Sequence, residues 1–213
     1  MRTLAAFALG TAVLGADGAG SLRVRASAVV APCVEAAARA FAAPAARIEV
    51  EVAPSLTAGP ADVIVGSGVE LTRALEGGAA DANTDLDVAR VPWVIQVRGG
   101  GRAVRSAADL TGAGIEVAVP DSPAAYDALR WARAATGGRA RPASERELRA
   151  AAVVVVPLSL AGPGERVATD VPPLIARAAL GAETARRAEA QAFLAFLGSE
   201  PGQKAFAACR AAP

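Results

Sequence analysis

The sequence predicts an α/β fold, and three observations lead to that prediction. Short apolar runs such as 62–66 and 153–157 are bounded by turn residues, which is typical of buried strands. Segments with helix-start signals alternate with these runs, as they do in parallel sheets. Hydrophobic residues make up 53% of the 213 residues and aromatic residues only 4%, with alanine the commonest. Such an alanine-rich chain favours many short, tightly packed helices.

The first 16 residues have the layout of a secretory signal peptide. Arg2 precedes a small-residue apolar run at 4–14, and residues 14–16 offer a small residue for cleavage. The apolar run is too short to span a bilayer. We therefore expect residues 1–16 to be removed on export and the mature chain to work in the periplasm of a bacterium. The alternative is an N-terminal strand or helix of an intracellular protein.

A first set of predicted elements occupies residues 22–75. In order, these elements are a strand at 22–25, a helix at 33–41, strands at 48–52 and 62–66, and a helix at 70–75. Pro32 occupies a natural first helical position, and Gly77 ends the second helix. Residues 48–52 alternate between apolar and charged side chains, as a half-buried strand does.

A second set of predicted elements follows, and the chain then ends in two helices. In order, these are an apolar run at 91–97, a glycine turn at 99–101, a helical turn at 106–110, a strand at 115–119, helices at 122–135 and 145–150, a strand at 153–157, and tail helices at 183–197 and 199–208. Ser122, Ser144 and Ser199 are the predicted N-cap residues. The unbroken apolar run at 153–157 predicts a central, fully buried strand.

The amount and distribution of charge exclude nucleic acid as a partner. The formal net charge is +1, and loss of residues 1–16 removes Arg2 and no acidic residue. Residues 17–89 are acidic overall and 90–149 are basic, but no stretch is dense enough for a nucleic-acid footprint. The charge supports at most a weak preference for a small anion.

The two cysteines, Cys33 and Cys209, lie near the start and the end of the mature chain. In an oxidising compartment an even count fits one disulfide between them. Two free, buried thiols are the alternative. Two Cys without any His make a poor metal-ligand set, so neither a metal nor a cofactor is expected.

Catalysis is poorly supported by the residue types present. The absence of His from the sequence excludes Ser–His–Asp and Cys–His sites. Asp121 beside Tyr126 offers acid–base groups, but turn and packing roles explain both residues. The chain is therefore not expected to be an enzyme.

Ligand binding is better supported, because hydroxyl-bearing turns follow successive predicted strands. These turns are 26–28, 54–57, 66–68 and 121–123. In open α/β sheets, ligands bind beyond the carboxyl ends of the strands, where helix N-termini favour anions. The helix that begins near Pro32 has no side-chain cap, since Val29, Val30 and Ala31 precede it. Its free N–H groups need water, Ser27 or a ligand.

Three segments resemble the periplasmic molybdate-binding proteins of ABC importers. Residues 190–206, AQAFLAFLGSEPGQKAF, are similar to that family's closing pattern of two helices joined by a small turn. Residues 60–65, PADVIV, look like its Pro-Ala-Asp segment before a lobe-one strand. Residues 106–126 are similar to the lobe-two stretch that ends at a helix facing the cleft. The resemblance implies a shortened, two-lobed type II periplasmic binding protein fold, with lobe one at 17–89 plus 172–213 and lobe two at 90–171.

The resemblance also implies a ligand site. The family holds a tetrahedral oxyanion with lobe-one hydroxyls and lobe-two backbone amides, often with a tyrosine. Carried over by position, Ser27 and Ser55 are the candidates for the hydroxyls and Ala124 and Ala125 for the amides. With Ser122 of the hydroxyl-bearing turn at 121–123 and with Ser159, they are the predicted ligand-binding residues. This chain departs from the family pattern at Val29, which occupies the slot expected for the first serine, and between Ser55 and Pro60, where a helix is missing. Ser159 stands near the place of the tyrosine.

The implied function is capture of a small solute, a tetrahedral oxyanion such as molybdate, for an inner-membrane ABC permease, by a monomer. The alternative is a degenerate binding-protein fold that serves as an accessory or partner-docking module without a small-molecule ligand. A cleft filled by Val29, Leu56 and Pro157 would favour that alternative.

Overall fold

The computed structural model describes residues 20–41, 47–98, 104–112 and 114–209. The predicted signal peptide at 1–16 and the predicted glycine turn at 99–101 lie outside the described residues.

The strands are β1 (Leu22–Ser27), β2 (Ile48–Ala53), β3 (Val63–Ser67), β4 (Leu86–Val91), β5 (Trp93–Val97), β6 (Val117–Pro120), β7 (Ala140–Ala143), β8 (Val153–Pro157), β9 (Glu165–Ala168) and β10 (Leu174–Leu180). The helices are α1 (Ala31–Ala40), α2 (Gly68–Glu76), α3 (Tyr126–Thr136), α4 (Glu145–Ala150), α5 (Arg187–Gly198) and α6 (Glu200–Ala208). Short 3-10 helices lie at Ala82–Thr84, Ala107–Thr111, Pro123–Ala125 and Leu158–Leu160.

The strands form two five-stranded sheets. The order is β2-β1-β3-β10-β4 in the first and β7-β6-β8-β5-β9 in the second. We call the first sheet with α1, α2, α5 and α6 lobe one, and the second sheet with α3 and α4 lobe two. The chain crosses between the lobes twice, at Pro92 and at 169–173. As predicted, the apolar strand β8 is central in its sheet.

Both sheets are mixed, so the predicted parallel pairing is correct for only part of each. Strand β1 runs parallel to β2 and β3, and β6 runs parallel to β7 and β8. Strand β10 is antiparallel to β3 and β4, and β5 is antiparallel to β8 and β9. These antiparallel strands adjoin the crossings, where the chain enters a sheet directly from the other lobe. A parallel neighbour would need a crossover of a dozen or more residues.

Helices cover both faces of the lobe-one sheet. In β3, Val63 and Val65 pack into the main core, whereas Ile64 packs into a separate cluster with Leu71 of α2. This alternation within an entirely buried strand explains why the run is apolar without a polar repeat.

The C-terminal helices close lobe one against α1. Phe193 and Phe206 are fully buried, and Phe193 contacts Phe41 edge-to-face with ring centroids 5.3 Å apart. A disulfide joins Cys33 of α1 to Cys209 after α6, with their Cα atoms 4.9 Å apart. Across the part of the chain that the structure describes, every helix is too short or too polar to cross a bilayer.

Candidate functional site

A cleft of about 470 Å³ lies between the two lobes. Its walls come from the loops after β1 and β2, the start of α2, and the loops after β6 and β7. The lining residues are Ala28, Val29, Ala31, Pro32, Glu35, Val52, Ala53, Pro54, Glu70, Pro120, Asp121, Ser122, Pro123, Ala143, Ser144, Glu145, Leu148 and Leu160. The cleft therefore lies beyond the carboxyl ends of parallel strands of both sheets, where α/β folds bind ligands. Its volume is in the range of small-molecule sites.

A smaller cavity of about 150 Å³, which we call the side pocket, adjoins this cleft on lobe one. The two share Ala53, Pro54, Glu70 and Pro123 as lining residues. The side pocket is also lined by Ser27, Ser55, Leu56, Thr57 and Arg73. It thus brings together the two serines that the sequence predicts as lobe-one hydroxyls.

Ser27 ends β1 at the wall of the side pocket. It is 2% exposed, and its Oγ has no hydrogen-bond partner among the described residues. Its carbonyl accepts a hydrogen bond from the Val30 N–H, which bends the chain into α1. The N-cap residue of α1 is Val30, and no side chain caps this helix, as the sequence predicts. A buried hydroxyl without a partner is costly, so Ser27 is the group here that most needs a ligand or water.

The other polar groups of the side pocket come from the loop after β2 and from α2. Ser55 Oγ and Thr57 Oγ1 are 2.8 Å apart, and the Thr57 N–H donates to Ser55 Oγ. Arg73 is exposed, and its guanidinium has no hydrogen bond or ion pair within the described ranges. The side pocket thus combines three hydroxyls with the guanidinium of Arg73, and the carboxylate of Glu70 also lines it.

Glu70 lies between the two cavities and is held by a capping box. Its Oε2 accepts hydrogen bonds from the N–H and the Oγ of Ser67, at 3.0 and 2.8 Å. The Glu70 N–H in turn donates to Ser67 Oγ, so the pair fixes the start of α2. The second oxygen, Oε1, is 3.5 Å from Ser122 Oγ of the opposite lobe. Glu70 is therefore the lobe-one carboxylate that approaches Ser122 of lobe two.

The main cleft is acidic. Four carboxylates line it, those of Glu35, Glu70, Asp121 and Glu145, and its lining residues include neither Lys nor Arg. Glu35 pairs weakly with Arg39, whereas Glu145 Oε1 is 2.6 Å from the Arg149 guanidinium; both arginines lie outside the lining. The carboxylate of Asp121 has neither a hydrogen bond nor an ion pair in the described part of the chain. The described residues contain no group of three or more metal-ligating side chains.

The remaining predicted site residues already have partners. The Ala124 N–H donates to Ser122 Oγ and the Ala125 N–H to the Ser122 carbonyl, so both amides are used within their own turn. Ser159 Oγ donates to the Val29 carbonyl across the lobes. None of these three residues lines the cleft or the side pocket. Of the predicted site residues, only Ser27, Ser55 and Ser122 line the cleft or the side pocket.

A groove of about 520 Å³ lies on lobe two alone. It is bounded by β6 and α4, and the ion pair of Arg141 with Glu147, at 2.9 Å, lies in its wall. The groove is not shared between lobes and contains no hydroxyl group in its lining. The interlobe cleft is therefore the better candidate site.

The sequence interpretation missed Thr57, Glu70, Arg73 and the binding role open to Asp121. The signal for Glu70 is present, because Ser67 followed three residues later by Glu is a capping box that fixes this carboxylate. Arg73 then lies one turn further along α2. Its place at the cleft depends on how the lobes meet, which local pattern does not encode.

Solved structures that are similar to this chain include periplasmic binding proteins. The Azotobacter vinelandii periplasmic molybdate-binding protein matches with a TM-score of 0.71 and 17% identity over 89% of this chain and 97% of that chain. The sulfate-binding protein SubI of Mycobacterium tuberculosis matches with a TM-score of 0.68 and 19% identity over 89% and 85%. The chain has the type II periplasmic solute-binding protein fold. A further structure with this type II fold is the substrate-binding domain of a molybdenum ABC transporter from Clostridium difficile, with a TM-score of 0.63 and 17% identity over 87% and 95%.

Sequence comparison adds nothing to the type II fold assignment. No protein-family model matches the chain, and no curated protein sequence is significantly similar to it. The likeness therefore lies in the backbone, which confirms the fold predicted from the sequence and leaves the ligand open.

Proposed function

We propose that this chain is the periplasmic solute-binding component of an ABC importer. It captures a small solute with an oxyanionic group between its two lobes and delivers it to an inner-membrane permease. The oxyanionic group occupies the side pocket. Molybdate, sulfate and phosphate are the simplest candidates for this group.

The observation that carries the proposal is the unpartnered hydroxyl of Ser27 in the side pocket. An anion there would accept hydrogen bonds from Ser27 and from whichever hydroxyl of the Ser55–Thr57 pair does not donate to the other. The free guanidinium of Arg73 would balance its charge. The volume of the side pocket, about 150 Å³, also favours a small anionic group over a large one.

Contacts between the lobes support capture by closure. Ser159 Oγ donates to the Val29 carbonyl, and Ser122 Oγ lies 3.5 Å from Glu70 Oε1. Both contacts cross from one lobe to the other beside the cleft. A ligand that touches both lobes binds the closed arrangement more tightly than an open one, and this difference in affinity drives closure.

The state of the cleft favours this function over the accessory-module alternative. Val29 lines the cleft and Leu56 lines the side pocket, but neither fills it, and Pro157 is absent from both linings. An open volume of about 470 Å³ remains between the lobes.

Replacing Ser27 with Ala tests the proposal. Calorimetric titration with molybdate, tungstate, sulfate and phosphate should give heat for at least one anion, and Ser27→Ala should weaken that binding about 10- to 100-fold, since a hydrogen bond to a charged group is lost. The stability of Ser27→Ala should be unchanged or slightly higher, because the removed hydroxyl has no partner.

Ser21→Ala is the matched control, since Ser21 precedes the opposite end of β1. It should leave anion binding unchanged. If the four anions give neither heat nor a thermal shift, the oxyanion proposal is wrong. Equal weakening by both substitutions would place the anion outside the side pocket.

A further inference from the structure

We infer that the solute is a zwitterion whose anionic group occupies the side pocket and whose ammonium group lies in the main cleft. The inference rests on the proposed function and names its substrate class. It follows from the different linings of two adjoining cavities, one with three hydroxyls and Arg73 and the other with four carboxylates, of which Glu70 lines both. One extended molecule can bridge them.

The side pocket supplies the anion-binding half. The Ser27 hydroxyl is buried without a hydrogen-bond partner among the described residues. Of the Ser55 and Thr57 hydroxyls, which are 2.8 Å apart, one donates to the other, and the second has its hydrogen free for a ligand. Arg73 adds a guanidinium that makes no ion pair in the described residues. Anionic groups with several oxygens, such as phosphonate, phosphate or sulfonate, match several donors at once.

The main cleft supplies the cation-binding half. Its four lining carboxylates lack any basic residue in the same lining, so a bare anion entering the cleft meets only negative charge. Asp121 is the most available of the four, because its carboxylate has no partner among the residues described. Glu70 offers its Oε1, whose one hydrogen-bond partner among the described residues is Ser122 Oγ at 3.5 Å.

The cleft lining also restricts the kind of cation. It contains no Phe, Tyr or Trp, so it lacks the aromatic faces that hold quaternary ammonium groups. Carboxylates bind best to cations that donate hydrogen bonds. A primary or secondary ammonium group therefore fits better than a quaternary one.

The junction of the two cavities suits a short apolar linker. Ala53, Pro54 and Pro123 line both cavities, and Val29 and Val52 extend the apolar wall into the cleft. These side chains offer no hydrogen-bond donor or acceptor to a linker. A few methylene groups between the two charged ends would pack there.

A matched series of phosphonates tests the inference. The probes are 2-aminoethyl-, 3-aminopropyl- and 4-aminobutylphosphonate, each compared by calorimetry with the alkylphosphonate of the same length. At least one amine should bind 10-fold or more tightly than its unaminated partner. Asp121→Asn should reduce that ratio to about 3-fold or less, since the ammonium loses its free carboxylate.

Two control variants distinguish the effect of the cleft carboxylate from the effect of the side pocket. Asp127→Asn removes an exposed carboxylate of α3 outside the cleft and should leave the ratio unchanged. Arg73→Gln should weaken amine and alkyl forms alike, since it acts on the shared phosphonate.

The outcomes are distinct for the two proposals. If no amine binds more tightly than its partner, or if Asp121→Asn leaves the ratio intact, the zwitterion inference is wrong and oxyanion capture stands. If no phosphonate and no inorganic oxyanion binds, the proposed function fails with it.

Discussion

Ser27 shows how a single residue can point to a ligand. Burying a hydroxyl without a hydrogen bond costs about 1–3 kcal/mol in proteins. Alanine at this position would avoid the cost, and small apolar residues surround it in the sequence. Ser27 is 2% exposed and its hydroxyl has no partner among the described residues at the wall of a cavity, so the proposed anion would offset this cost by accepting its hydrogen bond.

How well the sequence predicts the site also differs from one residue to the next. Ser27 and Ser55 follow strands β1 and β2, so position after a strand was enough to bring them together. Ala124 and Ala125 fail to reach the cleft because Ser122 caps their turn with its Oγ and carbonyl. Local capping and ligand binding use the same N–H groups, and the sequence alone does not tell which use prevails.

Glu147 offers a test of a residue outside the site. Its carboxylate accepts hydrogen bonds from the side chain and N–H of Ser144, and it pairs with Arg141 at 2.9 Å. These contacts, the Ser144 side chain foremost, lower the pKa of Glu147 from 4.5 to about 2. Because the folded-state pKa is below the unfolded one, Glu147 stabilises the fold above pH 4.5. That contribution is lost as the pH falls from 4.5 towards 2.

We therefore expect Glu147→Gln to flatten the pH dependence of the free energy of unfolding between pH 4.5 and 2. Gln at this position can still cap Ser144, so the helix is retained. Urea titrations at several pH values measure the slope. Glu76→Gln, at the exposed end of α2, is the control and should keep the wild-type slope in that window. Identical slopes for Glu147→Gln and wild type would contradict the role assigned to this carboxylate.

The corner between α5 and α6 shows a constraint at the level of elements. Ser199 Oγ accepts a hydrogen bond from the Gly202 N–H and caps α6. A Cβ atom at Gly202 would lie 1.8 Å from the Phe196 carbonyl oxygen, so the two helices meet too closely for any side chain there. The glycine at position 202 thus has a steric reason.

Gly202→Ala should destabilise the protein by about 1–3 kcal/mol, because the corner must open to admit the methyl group. Gly68→Ala, in the first turn of α2, is the matched control. Its new Cβ would be 3.6 Å from the nearest side-chain atom, an ordinary contact, so we expect a gain of about 0.5 kcal/mol. Denaturant midpoints of both variants measure the difference. Equal effects in the two helices would exclude the steric explanation.

The elements that the sequence predicted are those with a clear local signal. Helix α4 has the predicted bounds, since Ser144 and Glu147 mark its start unambiguously. Strands β7 and β9 were missed because their sequences, ARPA and ERVA, are only four residues long and contain no uninterrupted apolar run. Strand β10, LIARAAL, was missed because alanine and arginine favour helices. Its buried place between β3 and β4 overrides that preference.

At the scale of the molecule, the site depends on contacts that no segment contains. The cleft forms only because the chain crosses twice between the sheets, which sets the carboxyl ends of β1 and β2 opposite those of β6 and β7. Strand β10, which no pattern predicted, completes lobe one after the second crossing. The alternation of strands and helices therefore predicted the α/β class. The grouping of charged residues around the cleft could be seen only in the assembled lobes.

The disulfide acts at the same scale, because it joins residues 176 positions apart. It ties α1, whose first turn lines the cleft, to the last helix of lobe one. Cross-linking so long a loop restricts the unfolded chain and stabilises the fold by about 2–5 kcal/mol. The bond thus holds together the two ends of the lobe that carries the side pocket.

Removal of the disulfide should lower the free energy of unfolding by that amount. Urea unfolding of Cys33→Ala/Cys209→Ala should show an earlier midpoint than the oxidised wild type. Because Cys33 is fully buried, its replacement also loses packing. The reduced wild type separates the two effects, since it keeps both side chains and lacks only the bond. If reduced and oxidised wild type unfold at the same urea concentration, the cross-link contributes nothing, and α1 and α6 are held by packing alone.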